Sequence, residues 1–249
     1  MKTKDQLVKA NIDNLIALWK TAGGAFHSYF NKGDYEYVQI PGSEWPNKIW
    51  FNRGISRNDA ERALAQNSAA GPNLVLPHWD IFGASSLEIL EANGFAEKSR
   101  QTAMYLELGH RFDEQQRLDF KRVTSTTETM EWATLYPQAF GYSISEAILA
   151  NTFNEIHYYL ACFQDQPIGT AILFQTEEIM GIHGVGISPN ARRSGYAEEI
   201  MKFLLNRAID MGARYATLQA SDMGRGLYDK LGFKAQFVIK NYIGHPPHL

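Results

Sequence analysis

Residues 181–197, GIHGVGISPNARRSGYA, constrain this chain more than any other stretch. An apolar run around Val185 and Ile187 is broken by Ser188, Pro189 and Asn190, and a short turn follows, Arg192-Arg193-Ser194-Gly195-Tyr196-Ala197. Beyond it Ile200, Phe203, Leu204, Ala208 and Met211 recur at helical spacing as far as Gly212. The pattern predicts strand, tight turn and helix, with Gly195 at the helix mouth. A helix start leaves backbone N–H groups unpaired and carries the positive end of the helix dipole. Gly195 and Ala197 leave room for a phosphate or pyrophosphate to approach, and Arg192 and Arg193 add positive charge beside them.

At 249 residues, 45% hydrophobic and 20% charged, the chain is long and apolar enough to bury a sizeable core. A net charge of −3 offers no basic field for nucleic acid, and no apolar run is long enough to span a membrane. The lone Cys162 excludes an internal disulfide and a cysteine-rich zinc site, and reads as a buried structural thiol. Residues 1–5 lack the apolar stretch of a signal peptide, so the expected setting is the cytoplasm. Neither of the glycine-rich loops of nucleotide-binding proteins, G-x-x-x-x-G-K-[ST] or G-x-G-x-x-G, is present.

Taken in order, the first half predicts a helix over 4–22, strands over 35–40 and 48–51, a helix over 56–67 stopped by Gly71-Pro72, a strand over 74–76, a helix over 84–93 and a strand over 102–108. Residues 109–117 carry no periodicity and read as the connection between two halves. The second half predicts a strand over 118–123 and helices over 126–140 and 143–153, the latter capped by Ser143 and Glu146. Strands over 156–163 and 168–175 follow, joined by Gln164-Asp165-Gln166-Pro167, then the opening element. A strand over 215–219, a helix over 224–231 and a strand over 235–243 complete it, before a loop-like tail at 245–248. This order is that of an α+β fold with a mostly antiparallel sheet, not a doubly wound dinucleotide fold.

That order, together with Arg192-x-x-Gly195-x-Ala197 and, about thirty residues downstream, Tyr228-x-x-x-Gly232-Phe233, resembles the GCN5-related N-acetyltransferase (GNAT) superfamily over roughly residues 117–243. The resemblance implies an acetyltransferase that takes acetyl-CoA as co-substrate, uses no metal, and passes the acetyl group directly to a primary amine of a small molecule or peptide. It places the pyrophosphate on Arg192, Arg193, Ser194, Gly195, Tyr196 and Ala197, and the acyl carbonyl on backbone N–H groups near Val185 and Ile187. Tyr228 stands where the family carries its frequent tyrosine acid. His183, four residues before Ile187 and so on the same face of a regular strand, is the candidate base, with Glu177 and Glu178 as alternatives. The family's cofactor-contacting Asn is replaced here by the stretch from Ser221 to Arg225, in which Ser221 offers a substitute donor and Arg225 is either a phosphate contact or a surface residue. The competing reading is a CoA-binding or ligand-sensing protein with a catalytically silent fold.

Leu90-Glu91-Ala92-Asn93-Gly94-Phe95 repeats the Tyr228 to Phe233 pattern with Leu90 in place of the tyrosine. Residues 1–115 therefore look like a degenerate, non-catalytic GNAT-like lobe that walls the substrate cleft, and residues 116–249 like the acetyltransferase domain. Trp19, Trp45, Trp50 and Trp79 all lie in this first half, and their positions fit either its core or a pocket for a flat or cationic substrate. The acceptor amine is left open, as is the choice between monomer and homodimer.

Overall fold

The strand-forming segments do not separate into two sheets at the 109–117 connection. The computed structural model describes residues 2–70, 74–83, 85–113 and 115–244, leaving out the side chains of 68–70. In chain order these form α1 (Lys4–Gly24), β1 (Tyr29–Asn31), β2 (Glu36–Val38), β3 (Lys48–Trp50), α2 (Arg57–Ala70), β4 (Val75–Trp79), α3 (Ser85–Ala92) and β5 (Phe95–Glu107). The second half adds β6 (Asp119–Arg122), α4 (Thr126–Phe140), α5 (Glu146–Thr152), β7 (His157–Phe163), β8 (Gln166–Thr176) and β9 (Ile179–Ile187). A 3-10 turn (Pro189–Ala191), α6 (Tyr196–Asp210), β10 (Tyr215–Ala220), α7 (Arg225–Lys230) and β11 (Lys234–Gly244) follow.

All the described strands join one mixed sheet in the order β1-β2-β3-β4-β11-β5-β10-β9-β8-β7-β6. The pairs β3–β4 and β9–β10 are parallel and the rest antiparallel. The α+β architecture with a mostly antiparallel sheet is thus as expected. The strand β5, which ends the first half, is inserted between β10 and β11, and β11 carries the ladder on to β4. The Gly-Phe repeat falls at the two partners of this exchange. Gly94 (φ 82°) and Gly232 (φ 92°) both end a helix in the left-handed conformation, and the strands they lead into pair with each other.

Period-two alternation divides the side chains between two faces. Val38, Trp50 and Trp79 join the core that includes residues of α1, α4 and α5, whereas Tyr37, Ile49 and Leu76, of opposite parity on the same strands, join the core that includes residues of α2 and α3. In the second half Met180, Ile182 and Leu218 lie under α6. Helix α1 ties the two halves together. Its 21 residues reach about 30 Å at a rise of about 1.5 Å each. Leu7 near its start packs on Ile179 and Tyr215, while Trp19 near its end stacks on Trp79 at 6.2 Å and meets Trp50 at 5.7 Å. Between them two fully buried amides grip the sheet. The Asn11 amide donates to Met104 O at 3.1 Å and Gln236 Oε1 at 2.7 Å, and that of Asn14 to Phe174 O at 3.0 Å and Thr176 Oγ1 at 2.9 Å.

Several expectations are corrected. All four tryptophans of the first half are buried, so they are core rather than a ligand pocket. The capping box at Ser143 does not form. Helix α5 starts one turn later at Glu146, and Ser143 instead donates to the Glu44 carboxylate, while the Ser125–Glu128 pair forms a true box on α4. The turn before β8 is made by Gln164 and Asp165 alone, both at positive φ, and Gln166-Pro167 already belongs to the strand. Strand β5 starts at Phe95, because β11 pairs along its whole length. The stop expected at Gly71-Pro72 and the tail at 245–248 lie outside the described residues. No helix among the described residues is long and apolar enough to cross a membrane.

Truncating the ring that locks α1 to the first half leaves a large void. Trp19→Ala is expected to cost about 3–5 kcal/mol of unfolding free energy, read by urea denaturation. A loss below about 1 kcal/mol would show that α1 does not depend on this contact.

Candidate active site

The site begins where β9 leaves β10. The two strands pair only at Ile179↔Tyr215, Met180↔Ala216 and Gly181↔Thr217, although both continue beyond those residues. Past Gly181, β9 keeps its antiparallel partner β8, but with an irregular register: Thr170 faces Gly186 and Ile172 faces His183. One residue of β8 therefore spans two of β9, a bulge made possible by Gly184 at φ 56°. Thr170 Oγ1 steadies it by donating to Gly184 O at 3.1 Å. The result is a strand whose β10-facing backbone edge is free of ladder partners from residue 182 onward, the geometry needed to hold a carbonyl against backbone N–H groups.

The strand then runs through the 3-10 turn into α6. Arg193 (φ 66°) and Gly195 (φ 78°) both adopt left-handed conformations, and Gly195 caps α6 with no side chain, so the first-turn N–H groups stay uncapped. A cavity of about 290 Å³ lies there, lined by Ile187, Arg192, Arg193, Gly195, Tyr196 and Ala197 together with Leu227 of α7. Arg192 is turned back, its Nε donating to Ile187 O at 3.2 Å. A second cavity of about 280 Å³ borders Ser194 and Gly195 on the other side and is lined by Gln115, Arg117 and Lys202.

Arg117 was not singled out by its sequence context. It is fixed by the buried Glu199 of α6, which accepts from Arg117 Nε at 2.9 Å and from the backbone N–H groups of Arg117 and Leu118 at 2.6 and 2.8 Å. The guanidinium then bonds Ser194 O at 3.0 Å and lies 4.9 Å from the Tyr196 ring centre. A cation thus stands beside the helix mouth on a contact 77 residues apart in sequence, beyond the reach of local patterns.

Residues 124–233 match the model of the Acetyltransferase (GNAT) family. They form a GNAT domain. Over nearly the whole chain the fold is that of solved GNAT proteins. A GCN5-related N-acetyltransferase from Kribbella flavida aligns with a TM-score of 0.71 at 17% identity, covering 95% of this chain and 96% of that one. One from Sphaerobacter thermophilus aligns at 0.64 and 16% identity, covering 94% and 91%. A GCN5-related N-acetyltransferase-like protein from Streptococcus suis aligns at 0.57 and 11%, covering 94% and 100%. No curated protein matches the sequence.

In this GNAT domain the candidate proton carriers have different surroundings. Tyr228, on α7 next to cavity-lining Leu227, is half-buried against Phe233 at 5.9 Å, and burial pushes its hydroxyl up to about 12. Ser221 is exposed and outside both cavities, its Oγ accepting from Gly224 N at 3.3 Å. Arg225 pairs with Asp229 at 3.7 Å. Glu178 is held by Lys2 at 3.1 Å and Arg214 at 3.5 Å at the closed end of the β9–β10 pair, and Glu177 is a turn residue at φ 50°.

His183 does not share a face with Ile187. The bulge flips the alternation, so Ile187 packs under α6 whereas His183 lies on the α1 side, next to Asn14 around Gly181. A chain of hydrogen bonds sets its tautomer. Met104 O can only accept, so the Asn11 amide nitrogen faces it and Asn11 Oδ1 accepts from Gln219 Nε2 at 2.9 Å. Gln219 Oε1 then faces His183 Nδ1 at 3.0 Å, which puts the proton on Nδ1 and the lone pair on Nε2. That Nε2 is buried with no partner among the described residues. Burial pulls the imidazole down to about 4, against the raising effect of the Gln219 bond.

A folded pKa near 4, against 6.5 for a free imidazole, has a definite sign. Stability from neutral His183 is fully present above about pH 6.5 and is lost as pH falls toward 4, because only the unfolded chain binds the proton. In His183→Gln the unfolding free energy is therefore expected to fall less between those two pH values than in the parent, as read by denaturant titration. Equal slopes would mean that the imidazole is not held neutral.

Proposed function

We propose that this protein transfers an acetyl group from acetyl-CoA to a primary amine by direct attack. The observation that carries the reading is the juxtaposition of an unpaired strand edge and an uncapped helix start on consecutive elements. The N–H groups of residues 193–197 and the α6 dipole suit the pyrophosphate, with Arg117, Arg192 and Arg193 neutralising its charge. The free edge of β9 around Val185 and Ile187 suits the thioester carbonyl, whose oxygen gains negative charge as the amine adds. The amine nitrogen bonds to the carbonyl carbon, the carbon–sulfur bond breaks, and the departing thiolate takes a proton from Tyr228. At about 12 that hydroxyl is fully protonated at neutral pH and so available as a donor. Cys162, buried on β7 with its thiol pushed up by burial, has no part in the reaction.

His183 is the proposed acceptor of the amine's proton. It is neutral at pH 7, which the role requires, but burial makes it a weak base. Its inward Nε2 is the observation that favours the other reading, a CoA-binding protein without turnover. The two part at Tyr228, which a binding protein does not use.

Acetyl-CoA is expected to raise the melting temperature by mass action, with NAD and ATP giving no shift. Gly195→Ala tests the backbone alone, at a cost of about 1 kcal/mol for a side chain at positive φ. Gly195→Glu adds a carboxylate at the anion site and should abolish the shift; a retained shift would put the pyrophosphate elsewhere. With an amine panel and detection of released thiol, Tyr228→Phe should lower kcat about 100-fold with little change in acetyl-CoA affinity. Undiminished turnover would remove its role as acid.

A further inference from the structure

Asn14 of α1 uses only half of its side chain to hold the sheet. Its Nδ2 donates to Phe174 O at 3.0 Å and Thr176 Oγ1 at 2.9 Å, which fixes the orientation of the amide and turns Oδ1 away from β8. The residue is fully buried, and Oδ1 has no partner among the described residues. A buried carbonyl oxygen without a donor is unfavourable, and the two bonds through Nδ2 do not account for it.

The neighbour of Oδ1 is the His183 ring. A Cβ on Gly181 would stand 2.0 Å from Asn14 Oδ1 and 2.5 Å from His183 Nε2, so the two atoms share the space that a side chain at 181 would need. Gly181 is not among the glycines at positive φ, so it supplies room rather than an unusual backbone. The contact joins α1 of the first half to β9 at Gly181↔Thr217, where the β9–β10 ladder stops. Each ring nitrogen thus lies beside a carboxamide oxygen. Nδ1 faces Gln219 Oε1 at 3.0 Å, and Nε2 is next to Asn14 Oδ1. A neutral imidazole has one N–H and bonds one of these oxygens; an imidazolium has two and bonds both. Among the described residues no charged side chain acts on the ring. Its neighbour on β8 is Ile172, α1 adds the uncharged Asn11 and Asn14, and on α4 Tyr136 lies against Gly184 with its hydroxyl on Tyr142.

We infer that Asn14 is a positioning residue for His183, the acceptor that Nε2–H meets once the ring has taken the proton of the attacking amine. The catalytic part of the inference rests on the acetyl-transfer reading; the contact between Asn14 and His183 does not. As the amine nitrogen bonds to the carbonyl carbon, one of its N–H bonds breaks, the proton passes to Nε2, and Nε2–H donates to Asn14 Oδ1. The surroundings of the ring are therefore complementary to its state after proton transfer, and no group has to move when the charge appears. Burial weakens the base, and a residue of the first half offsets part of that effect.

The test uses the full chain with 15N-labelled histidine and no acetyl-CoA, the His183 signals being assigned by their loss in His183→Gln. Asn14→Leu deletes the acceptor. Gly181→Ala drives a methyl group between the two atoms and removes none of the groups by which Asn14 bonds β8. Each should lower the proton affinity of the ring about tenfold, read from the protonated fraction as pH falls from 6.5 toward about 4. Asn14→Asp keeps an oxygen in place and adds charge, and should raise the midpoint by about one unit or more. An unchanged titration in either of the first two variants overturns the inference, and so does an unraised midpoint in the third. With acetyl-CoA and the amine panel, the acid limb of kcat/KM in Asn14→Asp should move up with the midpoint, because turnover needs the unprotonated ring. An acid limb that stays in place while the midpoint moves overturns the positioning role. A parent protein that releases no thiol fails the acetyl-transfer reading instead, and the histidine titration still decides the contact.

Discussion

Three residue pairs hold β9 to β10, and the site depends on the ladder stopping there. A parallel pair that kept its register would satisfy every backbone group of β9 and leave nothing for a ligand to bond. The bulge at Gly184 bends the strand away while β8 keeps hold of its other edge. The chain then needs only a short turn to reach α6, and left-handed Arg193 and Gly195 supply it without a capping side chain. One strand irregularity thus exposes the β10-facing edge of β9, and the helix start follows on the next element.

That opening weakens the sheet at its centre, and the rest of the molecule offsets it. The insertion of β5 between β10 and β11 gives β10 a full antiparallel partner on the side away from β9. Helix α1 crosses beneath, its apolar ends packed on both halves and its two buried amides bonded to β5 and β8. The Asn11 amide also belongs to the network that orders Gln219 and His183. A residue of the first half therefore orders the candidate site, although that half carries no copy of the Arg-x-x-Gly-x-Ala turn.

Much of this was legible in the sequence where the chemistry is local. The turn 192–197 could be read because Gly195, a proline-broken strand end and a helical repeat are all within one short window. Tyr228 became a candidate only through the family resemblance carried by its spacing to Gly232-Phe233. What failed was regularity assumed where a bulge intervenes: a period of two put His183 on the face of Ile187, and one extra residue in β9 reversed it. Arg117 was invisible because Glu199 positions it across a long sequence gap. The interlocked order of β5, β10 and β11 was hidden for a related reason, since strand propensity says which segments are extended but not which edges meet.

The central claim is that the uncapped α6 start and the free edge of β9 are a single acyl-CoA site. Amide hydrogen exchange with and without acetyl-CoA tests it most directly, because it reads the backbone groups themselves. The account predicts that acetyl-CoA slows exchange at residues 193–197 and in β9 around 185–187 together, with little change in β2 or β3. Protection confined to other elements, or protection of the helix start with none on β9, would contradict it.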